Sequence, residues 1–170
     1  MAQDSSGGGT GLAATRWGVV MIVVGAGVVA AFQVGKAPAA IPALRAELGL
    51  SLFAAGWVIS LFNAMAVVGG MAAGAIADRL GHRRATLAGL ALIASANLLG
   101  GFASGGSAIL ASRFVEGLGF LAIIVSVPSL IIRAAARRDL KLVLGLWGCY
   151  MPVGAALMIL ASPIVLGPFD

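Results

Sequence analysis

Residues 74–84 read Gly74-Ala-Ile-Ala-Asp78-Arg79-Leu-Gly81-His82-Arg83-Arg84, a short basic stretch between two long apolar runs. Such a stretch is a topological marker: it stays on one side of a bilayer while its flanks cross. Composition agrees. Of the 170 residues, 61% are hydrophobic and only 10% are charged, against about 25% charged in soluble domains. A soluble fold of this size could not cover its surface with so few charges, and the mean hydropathy of +1.07 puts the chain in the membrane class.

Working outward, five apolar runs follow one another at 17–37, 52–76, 85–103, 107–132 and 142–166. Each has the ~20 residues a helix needs to cross ~30 Å of hydrocarbon. Continuous apolar runs exclude the alternating strands of a barrel. The predicted fold is therefore an all-α membrane protein with five transmembrane helices over residues 16–170. A flexible tail at 1–15 precedes them, rich in Ser and Gly. Arg16 before the first run and Ala37-Pro38-Ala39 after it resemble a cleavable leader. The length of that run and the four spans behind it favour a retained helix.

The connections carry their own signals. Pro42 to Leu48 reads as an extra helical turn, ended by Gly49, with Ser51 as the next N-cap. Ala103-Ser104-Gly105-Gly106-Ser107 is an uncharged tight turn. Arg133 to Lys141 is a second basic loop. One side of the bilayer then holds Arg16, Arg79, Arg83, Arg84, Arg133, Arg137, Arg138 and Lys141, and the other holds at most Lys36 and Arg45. The crowded side is cytoplasmic, which places the N-terminus inside and the multi-pass chain in an inner or plasma membrane. An odd number of spans ending at Gly167-Pro168-Phe169-Asp170 reads as an interrupted bundle.

The net charge of +5 sits in clusters between apolar runs, with no surface of basic and aromatic residues interleaved. It serves topology and not nucleic acid. No phosphate-binding loop, nucleophile–base pair or Cys/His metal cluster is present in the sequence, so no enzyme activity, cofactor or metal is expected. Cys149, the sole cysteine, lies in an apolar run and reads as a small buried hydrophobe. His82 reads as a solvated loop residue.

Four groups of residues could carry function. Asp78 falls at a helix C-terminus, which repels a carboxylate, so it needs a cationic or helix-N-terminal partner. Gly81 permits a tight turn beside it. In the fourth run, Arg113 and Glu116 share one helix face, with Gly117 following. Ionisable groups within a span face an interior or a cavity, and Glu116 is the one acidic residue deep in any run, hence the candidate proton carrier. In the fifth run, Gly145, Gly148, Pro152 and Gly154 make a flexible motif with an expected kink at Pro152. Trp147 and Tyr150 there, with Gln33 and Lys36 near the outer end of the first run, are candidates for lining a cavity. The default for Lys36 is to snorkel to the interface. Gly70 with Gly74, Gly117 with Gly119, and Gly145 with Gly148 offer surfaces for close helix approach.

Gly74, Asp78, Arg79, Gly81, Arg83 and Arg84, placed after the second span, resemble in full the loop between helices two and three of the major facilitator superfamily. Arg113, Glu116 and Gly117 are similar to that family's fourth-helix pattern, where Gln often stands in place of Glu116. Residues 145–154 partly resemble the Gly/Pro signature of its antiporters, with Gly154 alone where paired glycines follow the proline. Their wording is also similar to cyanate-permease-like members, a hint toward a small, anionic solute. The resemblance implies the first five helices of a twelve-helix secondary transporter, an incomplete N-terminal half. Spans one to three would form one inverted repeat and spans four and five begin the next. It implies a cytoplasmic latch in which Asp78 meets a helix of the missing C-terminal half. It further implies a role for Arg113 in coupling or in the electrostatics of the substrate path, and transport of a small solute by alternating access, coupled to an ion gradient. The alternative is a small membrane protein that self-associates or acts as an accessory subunit through its Gly-rich faces.

Overall fold

The computed structural model describes residues 14–49, 51–103 and 105–166. Residues 1–13 of the expected tail, Ser104 of the expected tight turn and the chain end Gly167–Asp170 lie outside the described residues. Among the described residues there are six α-helices and no strand. The helices are α1 Trp17–Leu48, α2 Leu52–Leu80, α3 His82–Gly101, α4 Gly106–Ala134, α5 Leu140–Gly148 and α6 Tyr150–Leu166, with a 3-10 turn at Arg137–Asp139 before α5. Four stretches are long and apolar enough to cross a bilayer: Trp17–Pro42, His82–Gly101, Gly106–Ala134 and Arg137–Ile164. The 29 residues of α2 give it about 43 Å of length.

The helices outrun the apolar runs. α1 continues through Pro38 and Pro42 to Leu48 instead of ending near residue 37. The two prolines are four apart, so the two missing hydrogen bonds fall on one side of the helix and the rest of the ladder persists. Gly49 then stops α1 in the left-handed conformation (φ 60°), and the Ser51 hydroxyl caps α2 by accepting from the Ala54 N–H at 3.2 Å.

The basic stretch 74–84 is not a loop. α2 carries it as far as Leu80 and α3 resumes at His82, leaving Gly81 alone outside helix with φ 84°. Gly81 serves both ends: its N–H donates to Ala77 at 2.9 Å and its carbonyl accepts from Ala85 at 3.0 Å. His82 is accordingly half-buried in the first turn of α3 and not a solvated loop residue. The fifth run also departs from expectation. It breaks at Cys149, between α5 and α6, and not at Pro152. Pro152 has no N–H to offer the carbonyl of Gly148, four residues back, and its ring crowds that carbonyl, so the break falls one turn upstream of the proline.

α4 is the central element and packs against α1, α2 and α3, while α6 lies along α1. The core joins Phe120, Ile123, Val127 and Ile131 of α4 to Val20, Val23 and Val24 of α1, Ile93 of α3 and Val143 of α5. Glycine lets backbones meet at two crossings. A Cβ added to Gly89 of α3 would stand 2.6 Å from the Gly119 carbonyl of α4, and the converse is equally close. Between α1 and α6, a Cβ on Gly154 would stand 2.5 Å from the Val28 carbonyl. Gly117 lies under the Met65 sulfur. The expected approaches at Gly70, Gly145 and Gly148 are not made among the described residues: each faces open space, and Gly74 meets only Val125 at 3.7 Å.

The end of the expected tail belongs to the bundle. Thr15 is buried. Its hydroxyl donates to the Asp139 carboxylate and accepts the Ala136 N–H at 2.9 Å, while the Arg16 N–H donates to the Ala134 carbonyl at 2.9 Å. The start of α1 is thereby tied to the junction of α4 and α5.

Candidate functional site

That tie puts the start of α1 beside the end of α4, so the two helices run antiparallel. Measured along each helix from the basic end, Lys36 lies about 29 Å and Glu116 about 27 Å away. They meet there. The Lys36 ammonium donates to Glu116 Oε1 at 2.7 Å and to Asn97 Oδ1 on α3. Arg113, one turn before Glu116, sets Nη2 2.8 Å from Oε2, close enough to pair but poorly aligned for a hydrogen bond. Its Nη1 donates at 3.4 Å to the Gln33 main-chain carbonyl on α1. Three helices thus contribute to one interior cluster.

Its electrostatics are unusual for a membrane interior. The Glu116 side chain is 1% exposed, Arg113 7% and Lys36 27%. One carboxylate is shared by two cations, a formal charge of +1 where ionisable groups are costly and face interiors or cavities. Taking the negative charge from Glu116 would remove the ion pair between α1 and α4 and leave the Arg113–Gln33 hydrogen bond between the same two helices.

Of the residues singled out in the sequence, the structure brings Gln33, Lys36, Arg113 and Glu116 together. Lys36 points inward and does not snorkel, because its partners on α3 and α4 are in reach. Asn97 had no sequence signal beyond being a lone amide in an apolar helix. Gln33 is buried, and its side-chain oxygen has no partner among the described residues. Trp147 and Tyr150 stand apart from the cluster. Their rings stack with centroids 4.0 Å apart and planes 10° off parallel. The Trp147 ring covers Gly27, about 13 Å along α1 from Lys36 toward the basic end.

Gly74, Asp78, Arg79, Gly81, Arg83 and Arg84 gather at that basic end, away from the cluster. Asp78 is exposed, and its Oδ1 lies 3.5 Å from His82 Nε2 in the first turn of α3. Gly145 and Gly148 of the fifth-run motif face outward, Pro152 is exposed and Gly154 is buried against α1. No group of three residues able to hold a metal occurs among the described residues.

Comparison with known proteins gives the broader setting. The chain is 34% identical over 89 residues to the cephamycin export protein CmcT of Amycolatopsis lactamdurans, covering 52% of this chain and 18% of that protein. It is 29% identical over 114 residues to the uncharacterized MFS-type transporter Rv1250 of Mycobacterium tuberculosis, covering 67% of this chain and 20% of that protein. The matched stretch is about a fifth of the length of each relative. No solved structure matches the chain. The family model for the Major Facilitator Superfamily matches residues 10–170. An all-helical, multi-pass body and a match over nearly its whole length agree: this chain belongs to the Major Facilitator Superfamily of membrane transporters.

Proposed function

We propose that the chain forms the N-terminal part of a secondary active transporter that moves a small solute by alternating access, driven by an ion gradient. The observation that carries this reading is the interior carboxylate of Glu116, held between Lys36 of α1 and Arg113 of its own helix. A proton on Glu116 cancels the charge that ties α1 to α4 and so links ion binding to helix arrangement. In this reading α2 is the fifth crossing, supported by its length and its packing along α4. The excess of Lys and Arg at the basic end supports a cytoplasmic N-terminus. The remaining helices and the second half of the cavity belong to chain beyond residue 170, as the span of the relatives suggests. Asp78, exposed at the basic end, is the residue proposed to latch onto that half. The name of the export protein among the relatives supports efflux as the direction.

The test is driven transport by the native polypeptide in proteoliposomes, read as solute-dependent collapse of a pH gradient across a panel of candidate solutes. Glu116→Gln fixes the uncharged state of the carboxyl. It is expected to abolish driven transport while sparing exchange of labelled solute, and retained exchange also shows that the variant is folded. Normal driven transport by Glu116→Gln overturns the coupling role.

A further inference from the structure

We infer that the interior cluster at Lys36 is a binding site for a monoanionic group, of the carboxylate class, carried by the solute. The inference rests on the transporter reading and names the chemistry of its substrate.

Lys36 and Arg113 bring two positive charges to the single negative charge of Glu116. No other acidic residue is placed at the cluster among the described residues. Asp78 and Asp139 sit at the basic end, and Glu47 lies about 16 Å of helix beyond Lys36 on α1. Asp4 and Asp170 lie outside the described residues. Among the described residues one positive charge is therefore uncompensated in an apolar interior, where an unpaired ion is strongly disfavoured. A ligand of charge −1 neutralises the site, a neutral ligand leaves the excess in place, and a dianion reverses it.

The geometry says where such a group would bind. An ammonium has three N–H donors. Lys36 commits one to Glu116 and one to Asn97, leaving the third. Each oxygen of Glu116 faces a different cation, Oε1 accepting from Lys36 and Oε2 lying 2.8 Å from Arg113 Nη2 without a hydrogen bond. Lys36 is also the most exposed of the three charged members of the cluster, so the excess charge is carried by the group that a solute can reach. One turn earlier on α1, the Gln33 amide is buried with its oxygen unpartnered. Turned about its last bond, that amide presents N–H donors instead, which suit an anionic oxygen.

The test is thermal unfolding of the native polypeptide in detergent at constant ionic strength, with acetate and benzoate as probes and acetamide and benzamide as their uncharged counterparts. A carboxylate that binds the folded state raises Tm by a few degrees near saturation, and its amide does not. Lys36→Met leaves the balanced Arg113–Glu116 pair, so the variant is expected to fold and to lose the carboxylate shift. Lys36→Arg keeps the charge and is expected to retain part of the shift. Equal shifts with acid and amide, no shift with either acid, or a full shift in Lys36→Met would each overturn the inference. Binding in detergent needs no gradient and no second compartment. A carboxylate shift without driven transport would uphold the site and sink only the transport reading. Driven transport without a carboxylate shift would sink only the site.

Discussion

At the scale of single residues, the interior cluster predicts an asymmetry among its members. Removing Glu116 leaves two like charges facing each other in an apolar interior, whereas removing Arg113 leaves a balanced Lys36–Glu116 pair. Glu116→Leu is therefore expected to lower stability by about 3–5 kcal/mol, and Arg113→Leu by less than half as much, in unfolding of the detergent-solubilised native polypeptide. Equal losses would show that the charges are not coupled. Part of this cluster was legible before any coordinates. Arg113 and Glu116 are three apart in an apolar run, which alone places both on one helix face. The inward turn of Lys36 was not legible, because snorkelling is the local default and is overruled only by partners about 60 and 80 residues away. Asn97 carries no pattern at all: a single amide in an apolar helix gains meaning only from what lies opposite. Thr15 is similar, since its bond to Asp139 spans 124 residues.

At the scale of elements, apolar length was enough to place the helices and too blunt to end them. Hydrogen bonding carries α2 past the end of its apolar run at residue 76 until Gly81 interrupts it, and α1 past two prolines until Gly49 does. Pro152 announced a break, but the break lies at the carbonyl the proline crowds, one turn earlier. The glycines show the same limit. Spacing alone cannot separate Gly89 and Gly119, which let α3 and α4 touch, from Gly70, Gly145 and Gly148, which face open space. The distinction predicts an experiment. Gly119→Val drives a branched side chain into the Gly89 carbonyl and is expected to cost about 1–3 kcal/mol, read as a lowered Tm. Gly148→Ala is expected to stay within about 0.5 kcal/mol of the parent. Similar losses at the two sites would mean that the α3–α4 crossing is not tight.

At the scale of the whole molecule, α4 is the hub, and the basic residues collect at one end of the bundle around the Thr15–Asp139 tie. If that end is cytoplasmic, the far end, with Arg45 beyond Pro42, faces outward. In a Cys149→Ser background, Arg45→Cys is expected to react with a membrane-impermeant maleimide added outside intact cells, and Arg83→Cys only after the membrane is opened. The reverse pattern would invert the topology. The break at Cys149 has a mechanical meaning at this scale. α6 rests on α1, whereas α5 touches α4, α1 and the 3-10 turn. α5 contacts both α1 and α4, so a shear between those two helices loads α5 and the joint at Cys149 that connects it to α6. The thiol there is free and exposed, not buried as its apolar run led one to expect, because the break between α5 and α6 leaves it outside the helix contacts. The chain thus carries its own attachment point for an optical or spin reporter on that joint, with no residue replaced.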